Sequence, residues 1–218
     1  MVTDVHERRT KDVTEAICRD YDTTVAGFPM DVTDRGRVAE VIDEVTQTLG
    51  PIQILVNNAA WNVLGDFFEY DPADWDRVID VDLTGPFNTA RFALPGMRAA
   101  GGGAIVNVSS VGADQAKGEG EIPYAVAKGG LNTLTRHIAK VGGPFNIRCN
   151  AVAMGMVSGT KFADERPQIM EKYIPEIPLG RPARTTDIAE AIAFLASERA
   201  GFITGEILNV SGGWYMRN

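Results

Sequence analysis

The chain has 218 residues, of which 44% are hydrophobic and 23% are charged, as expected for one compact domain with a substantial core. Its net charge of -8, without a basic block, argues against nucleic acid or an anionic membrane surface as a partner. The first residues are polar and no apolar run approaches membrane-spanning length, so we expect a cytoplasmic protein.

Strands and helices alternate along the sequence. A helix is predicted after Asp34, with apolar residues at helical spacing as far as Leu49, and a strand follows over 52–56. Asp71 and Pro72 predict an N-cap with proline at the first helical position. The later predicted elements are strands over 104–108, 147–152 and 206–210, and helices over 124–141 and 187–196.

This alternation predicts an α/β fold with a doubly wound parallel sheet in a single domain of residues 1–218. The predicted strands are continuously apolar, as is typical of strands buried on both faces. Ligands of such sheets bind beyond the carboxyl ends of the strands. Segment 156–180 is long and carries scattered apolar residues, which predicts a substrate lid.

The two cysteines indicate a reducing compartment and no metal site. Cys18 and Cys149 have no CxxC spacing, so neither a disulfide nor a zinc site is predicted. Both are expected to be buried.

Polar residues follow three of the predicted strands. Asn57 and Asn58 follow the first of them, Ser110 follows the second, and Asn150 to Gly155 follow the third. Because the carboxyl ends of parallel strands meet at one edge of a sheet, these groups are expected to converge on a site.

Tyr124 and Lys128 stand four residues apart on a predicted helix, which places the phenol and the ammonium on one face. A nearby cation favours phenolate over phenol, so Tyr124 is a candidate acid or base. Ser110 is positioned to hold the oxygen that gains or loses the proton. A Tyr/Lys pair at this spacing is also common on exposed helix faces, but the convergent strand ends favour a site.

This set of residues resembles the short-chain dehydrogenase/reductase family over nearly the whole chain. Ser110, Tyr124 and Lys128 match its catalytic serine, tyrosine and lysine, and the segment 57–60, Asn-Asn-Ala-Ala, looks like its Asn-Asn-Ala-Gly element. The resemblance implies an NAD(P)-dependent enzyme that transfers a hydride between nicotinamide and a secondary alcohol or ketone. It further implies that Tyr124 exchanges the proton, Ser110 binds the substrate oxygen, and Lys128 lowers the tyrosine pKa and holds the nicotinamide ribose.

The resemblance also implies the cofactor contacts. Asp4 is expected to bind the adenosine ribose and to favour NAD over NADP, whereas His6, Arg8 and Arg9 nearby are able to bind a 2′-phosphate. The other expected contacts are Asp31, Val32, Asn58, Ala59, Ala60, Gly155 and Val157, together with Tyr124 and Lys128.

One departure from the family pattern affects the chemistry. Asp82 stands where the family usually has an asparagine of the catalytic set. A carboxylate near Lys128 would partly cancel the field that lowers the Tyr124 pKa, so we expect an activity optimum at higher pH. A solvated Asp82 without a role is the alternative.

A second departure affects the front of the chain. The first glycine is Gly27, whereas the family opens with a strand, a glycine-rich turn and a helix. In the family that strand is central, and each buried backbone group left unpaired costs roughly 1 to 3 kcal/mol. We therefore expect the natural protein to begin some tens of residues upstream of Met1.

The substrate and the assembly rest on the resemblance alone. The sequence is nearest in pattern to the branch that oxidises 2-hydroxycyclohexanecarboxyl-CoA and to 3-oxoacyl carrier-protein reductases, which suggests an acyl thioester. A homotetramer or homodimer is expected through segments 84–97 and 124–141. The alternatives are a cofactor-free assembly partner that keeps only the fold, and a sugar-nucleotide epimerase, which shares the Tyr-x-x-x-Lys pair but usually carries a separate substrate domain.

Overall fold

A computed structural model describes residues 1–115 and 121–216. All strand pairs within this part of the chain are parallel, and they form one sheet of two strands and one of four. The predicted α/β fold is confirmed, with its strands divided between two sheets. The first sheet pairs β1 (Val2–Asp4) with β2 (Gly27–Pro29), and the second has the order β3 (Ile54–Asn57), β4 (Gly103–Ser110), β5 (Ile147–Met154) and β6 (Ile207–Val210).

Helices connect the strands and cover the sheets. A π-helical turn over Asp80–Thr84 joins the third helix to the fourth. The helices are α1 (Glu7–Asp20), α2 (Arg35–Leu49), α3 (Pro72–Ile79), α4 (Gly85–Ala99), α5 (Ile122–Gly142), α6 (Lys161–Glu165), α7 (Pro167–Tyr173) and α8 (Thr185–Ala196). Within the described ranges, none of them is both long and apolar enough to cross a membrane.

Local sequence signals set the helix boundaries. The Asp34 side chain accepts from the Arg37 N–H and caps α2, and Gly50, with a φ of 90°, follows its last residue. The Asp71 side chain accepts from the Ala73 N–H and caps α3, with Pro72 at its first position. The predicted starts of both helices are therefore confirmed.

The main core lies between α2, α4, α5 and the strands β3 to β5. Val38 and Val41 of α2 are fully buried there and pack with Met97 of α4 and Ile105 of β4. Cys149 lies in the same core, as predicted. Cys18 is exposed, against the prediction, because α1 buries fully only Thr10.

Strand β3 is one of the two outer strands of the four-stranded sheet. Leu55 and Asn57 are buried, whereas Ile54 and Val56 are 53% and 40% exposed. Strands β4 and β5 are buried along almost their whole length, as the apolar sequence predicted. The prediction that the strands are buried on both faces is therefore wrong for β3, because the face with Ile54 and Val56 is exposed.

A chain of hydrogen bonds between buried side chains crosses the core. Thr89 Oγ1 donates to Asn57 Oδ1 at 2.7 Å, and Asn57 Nδ2 donates to Asn107 Oδ1 at 2.8 Å. Asn107 Nδ2 then donates to Thr135 Oγ1 at 2.8 Å, and Thr135 Oγ1 donates to the Leu131 carbonyl at 2.8 Å. These bonds link α4, β3, β4 and α5, and they satisfy polar groups that would be costly to bury alone.

Thr135→Val tests this network. We expect the free energy of unfolding to fall by about 1–3 kcal/mol, because Asn107 Nδ2 keeps only its 3.7 Å contact with Cys149 Sγ. The control is Thr133→Val, which removes a hydroxyl bonded to the Gly129 carbonyl on the exposed face of the same helix. It should change stability by at most about 0.5 kcal/mol in urea denaturation. Equal losses of unfolding free energy in the two variants would show that the buried hydrogen bond at Thr135 contributes no more than the exposed one.

Candidate active site

The structure brings Ser110, Tyr124 and Lys128 together. Ser110 ends β4, and its hydroxyl accepts from the Gly112 N–H at 3.0 Å. The same hydroxyl lies close enough to the Tyr124 phenol to lower its pKa as a hydrogen-bonding group. Tyr124 and Lys128 lie in the first two turns of α5, and Lys128 Nζ is 5.3 Å from the centroid of the Tyr124 ring. The predicted stacking of phenol and ammonium on one helix face is confirmed.

Lys128 is a buried cation with two partners. Its side chain is 2% exposed, and its Nζ lies 2.9 Å from Asp82 Oδ1 and donates to the Val108 carbonyl at 2.9 Å. An ammonium has three N–H donors, so these two partners leave one for a bound molecule.

Asp82 contacts both Lys128 and the segment after β3. It lies in the π-helical turn, is fully buried, and accepts from the Trp61 N–H at 2.7 Å through Oδ2. Burial raises the pKa of Asp82, and the charge of Lys128 and the Trp61 N–H oppose that rise. The alternative of a solvated Asp82 is therefore wrong.

The surroundings of Tyr124 disfavour its phenolate. Burial raises the pKa of Tyr124 well above its usual value, the carboxylates of Asp82 and Glu121 raise it further, and the hydrogen bond to Ser110 lowers it. The expected lowering by Lys128 is not found, since Asp82 balances the ammonium at 2.9 Å. Tyr124 therefore holds its proton through neutral pH.

The candidate residues for the adenosine side lie at the carboxyl ends of β1 and β2. Asp4 Oδ1 accepts from the His6 N–H at 2.8 Å, and Asp4 Oδ2 is 3.5 Å from Arg9 Nη1. Asp31 Oδ1 accepts from the N–H and the hydroxyl of Thr33, at 2.9 and 2.8 Å. Both carboxylates thus lie at the carboxyl ends of their strands, although local groups already engage them.

The candidates for the nicotinamide side follow β3 and β5. Asn58, Ala59 and Ala60 are exposed directly after β3. Gly155 donates its N–H to the Val210 carbonyl at 3.1 Å, and a Cβ there would come within 3.0 Å of Ser211. Val157 is buried and forms a parallel bridge with Ala183. With the third Lys128 N–H, these groups fit the ribose and nicotinamide of a dinucleotide.

Segment 156–180 contains α6, α7 and a 3₁₀ turn over Ile174–Glu176. The Tyr173 and Trp214 rings have centroids 5.3 Å apart, and Trp214 Nε1 donates to Glu176 Oε2 at 3.0 Å. The far end of the segment is therefore fixed to the carboxy-terminal turn. Trp214 was not predicted as part of this segment's packing, because its contacts depend on the tertiary structure.

Sequence reasoning also missed Asn62, and it assigned no role to Glu121. Asn62 Nδ2 donates to Glu121 Oε1 at 3.2 Å. Val63, the next residue, packs in a cluster with Tyr124 and Ala127. The one sequence feature that could have pointed to Glu121 is its position three residues before Tyr124.

Comparisons with known proteins identify the family of the chain. A family model described as enoyl-(acyl carrier protein) reductase matches residues 1–215. The chain belongs to the short-chain dehydrogenase/reductase family. Its similarity to oxidoreductases over most of its length shows that it is an enzyme of that class.

Three relatives illustrate the range within this family. An acetoacetyl-CoA reductase of Rhizobium meliloti is 38% identical over 87% of this chain and 80% of the relative. A cis-4-hydroxycyclohexanecarboxylate dehydrogenase of Sinomonas cyclohexanicum is 41% identical over 84% and 74%. The crystal structure of a gluconate 5-dehydrogenase from Burkholderia cenocepacia, in complex with NADP and tartrate, superimposes with a TM-score of 0.90 at 28% identity, covering 98% of this chain and 84% of that one.

Lys128→Met tests the buried ion pair. We expect a loss of about 3–5 kcal/mol of unfolding free energy at pH 8, because Asp82 is left buried without its cation. The pKa of Asp82 is then raised further in the folded state, so the unfolded chain releases this proton at lower pH than the folded one. The loss should therefore shrink as the pH falls from 8 towards 5.

Lys140→Met is the matched control, since Lys140 is exposed near the end of the same helix. It should change stability by less than about 1 kcal/mol at both pH values. If the loss of unfolding free energy in Lys128→Met does not depend on pH, Lys128 does not stabilise the charged form of Asp82.

Proposed function

We propose that this protein transfers a hydride between NAD(P) and a secondary alcohol or ketone. The proposal rests on one observation. Ser110, Tyr124 and the buried Lys128 lie close together at the carboxyl end of β4. The nicotinamide supplies the hydride chemistry when it is bound. The Ser110 and Tyr124 hydroxyls would hold the oxygen of the substrate between them.

In this proposal the chain moves one proton. Tyr124 gives its proton to the oxygen of a ketone during reduction and takes the proton of an alcohol during oxidation. Ser110 donates a hydrogen bond to the same oxygen and holds it against Tyr124. Lys128 holds the nicotinamide ribose with its third N–H. Asp82 is a positioning residue that fixes the lysine and the Trp61 backbone.

Asp4 supports NAD as the cofactor, because a carboxylate at the end of β1 accepts from a ribose 2′-hydroxyl and repels a 2′-phosphate. The Arg9 guanidinium, 3.5 Å from Asp4, would offset part of that repulsion, so NADP is the second choice. Asp31 and Val32 are assigned to the adenine, and Asn58 to Ala60, Gly155 and Val157 to the nicotinamide half.

The assembly proposed for the enzyme is a homotetramer or homodimer in the cytoplasm, packed through α4 and α5. Phe87 on α4 is 46% exposed, and Val126 and Val141 on α5 are 47% and 61% exposed. Large apolar side chains on two adjacent helices favour a contact between copies. An acyl thioester, as in the name of the acetoacetyl-CoA reductase relative, is one candidate substrate of this site.

Titration with NADH, followed by fluorescence and thermal shift, tests the proposal together with Tyr124→Phe. We expect NADH to bind the wild type and the variant with Kd values within about threefold of each other, since the phenol is not needed to hold the dinucleotide. The kcat for alcohol oxidation should fall by about 10² to 10⁴ in Tyr124→Phe. Tyr21→Phe, at an exposed tyrosine, is the control with unchanged kcat. Absence of NADH binding would instead favour a cofactor-free assembly partner.

Asp82→Asn tests the charge balance around Tyr124. The carboxylate of Asp82 raises the Tyr124 pKa and balances Lys128, so its removal should lower that pKa. Alcohol oxidation requires the deprotonated tyrosine, so its kcat/KM rises with pH. In Asp82→Asn this rise should occur at lower pH than in the wild type. The control is Asp76→Asn on the exposed side of α3. An Asp82→Asn profile that overlays the wild type would refute this role.

A further inference from the structure

We propose that Trp214 is a positioning residue, which fixes the rear part of segment 156–180 beside Ser110 so that only the front part opens for the substrate. The front part comprises residues 159–166, and the rear part comprises residues 173–179. The inference rests on the proposed function, because it assigns this segment to the substrate of the same site. Trp214 takes no part in the proton transfer and acts through the segment that it holds.

The first support is the way in which the rear part is held. The Tyr173 and Trp214 rings have centroids 5.3 Å apart, and Trp214 Nε1 donates to Glu176 Oε2 at 3.0 Å. The Leu179 N–H donates to the Gly212 carbonyl at 3.1 Å. Both ends of the rear part are therefore bound to the same carboxy-terminal turn.

The backbone of that turn lets the rear part come close. Gly212 and Gly213 have φ values of 66° and 88°, in the left-handed region that favours glycine. A Cβ on Gly212 would lie 2.8 Å from Ile177 Cγ2, and a Cβ on Gly213 would lie 2.9 Å from Pro178 Cγ. Ile177 is buried. The rear part thus packs directly against backbone that carries no side chain.

Trp214 also contacts the active-site end of the sheet. Its ring packs against the buried cluster that contains Val111 and Ala153, and Val111 directly follows Ser110. A Cβ on Gly155 would lie 3.4 Å from Trp214 Cε3. Because Gly155 is a candidate for the nicotinamide side, Trp214 joins the rear part of the segment to both the proton-transfer side and the cofactor side of the proposed site.

The base of the segment is a second fixed point. Val157 forms a parallel bridge with Ala183, and the Ser158 N–H donates to the Ala183 carbonyl at 2.9 Å. The Ala183 N–H donates in turn to the Met156 carbonyl at 2.8 Å. The front part therefore runs from this base towards the rear part, and its first residue is Gly159, with a φ of 70°.

The front part is held mainly by its own side chains. Among residues 1–115 and 121–216, its ion pairs lie within it: Lys161 Nζ and Arg166 Nη1 are each 3.7 Å from a carboxylate oxygen of Glu165. The Arg166 guanidinium also lies 5.1 Å from the centroid of the Phe162 ring. A stretch that is linked within itself and bounded by two fixed points is able to move as a unit.

Trypsin tests this division of the segment. Lys161 in the front part and Lys172 directly before the rear part are both exposed, whereas Arg166 and Arg181 precede prolines and are not cut. Cleavage of a folded protein follows the population of its open form, so we expect cleavage after Lys161 to be at least about tenfold faster than after Lys172. Fragment masses identify the bond that is cut.

Variants assign the protection of Lys172 to the anchor. Trp214→Leu removes the ring and its donor, and Glu176→Ala removes the acceptor at an exposed position. Cleavage after Lys172 should become about tenfold faster in Trp214→Leu and about threefold faster in Glu176→Ala, with the rate after Lys161 unchanged. Trp75→Leu on α3 is the matched control and should keep both wild-type rates.

Steady-state kinetics test the positioning role. The probe is acetoacetyl-CoA or cyclohexanone, whichever the wild type reduces with NADH. We expect Trp214→Leu to raise the KM of the ketone by about ten- to thirtyfold, with kcat and the Kd of NADH within about threefold of the wild type. Trp214→Phe keeps a ring beside Tyr173 and loses only the N–H, so its KM should rise by about threefold.

The outcomes separate this inference from the proposed function. If NADH binds and the ketone is reduced while Trp214→Leu keeps the wild-type KM, the proposed function stands and the positioning role is overturned. Equal cleavage after Lys161 and Lys172 in the wild type would also overturn it. If NADH does not bind and no ketone is reduced, the proposed function fails and the positioning role fails with it, whatever the trypsin pattern.

Discussion

The contact between Lys128 and Asp82 is the constraint on which the rest of the site depends. A buried ammonium is tolerated only with close partners, and here they come from different parts of the chain: the π-helical turn gives Asp82, and β4 gives the Val108 carbonyl. The second oxygen of Asp82 holds the Trp61 N–H. One charge pair therefore fixes the relative positions of α5, β4 and the segment after β3.

The same pair determines the proton chemistry available to Tyr124. An unpaired ammonium beneath the ring would favour the phenolate, but Asp82 removes most of that field and adds its own opposing charge. Burial and Glu121 act in the same direction, with only the Ser110 hydroxyl opposing them. The lysine that Asp82 stabilises therefore lies beside a tyrosine that stays protonated at neutral pH and becomes a base only at higher pH.

Local signals in the sequence predicted much of this fold. The cap at Asp34, the proline after Asp71 and the four-residue spacing of Tyr124 and Lys128 depend on neighbours a few residues away, and all three are found. Other features depend on residues far apart in sequence. They are the contact of Asp82 with Lys128, the bond from Asn62 to Glu121, and the exposure of one face of β3. Periodicity and capping contain no information on such contacts. The expected opposition of Asp82 to a lowered Tyr124 pKa is found, whereas the larger effect of burial on that pKa depends on tertiary packing.

Two pairs of adjacent polar residues show how the sheet divides structural from chemical roles. Asn57 is buried in the hydrogen-bond chain that crosses the core, whereas Asn58 is exposed beyond the strand end. Ser109 is buried and donates to Asn132 Oδ1 at 2.7 Å, whereas Ser110 reaches Tyr124.

Successive side chains of a strand point to opposite faces, so one member of each pair binds the helices behind the sheet and the next is free to face a ligand. A slip of one residue in β4 would exchange these roles. The buried partners Asn107 and Asn132 therefore protect the geometry of Ser110 and Tyr124 without touching either of them, because they hold β4 in the one register that presents Ser110 to the tyrosine.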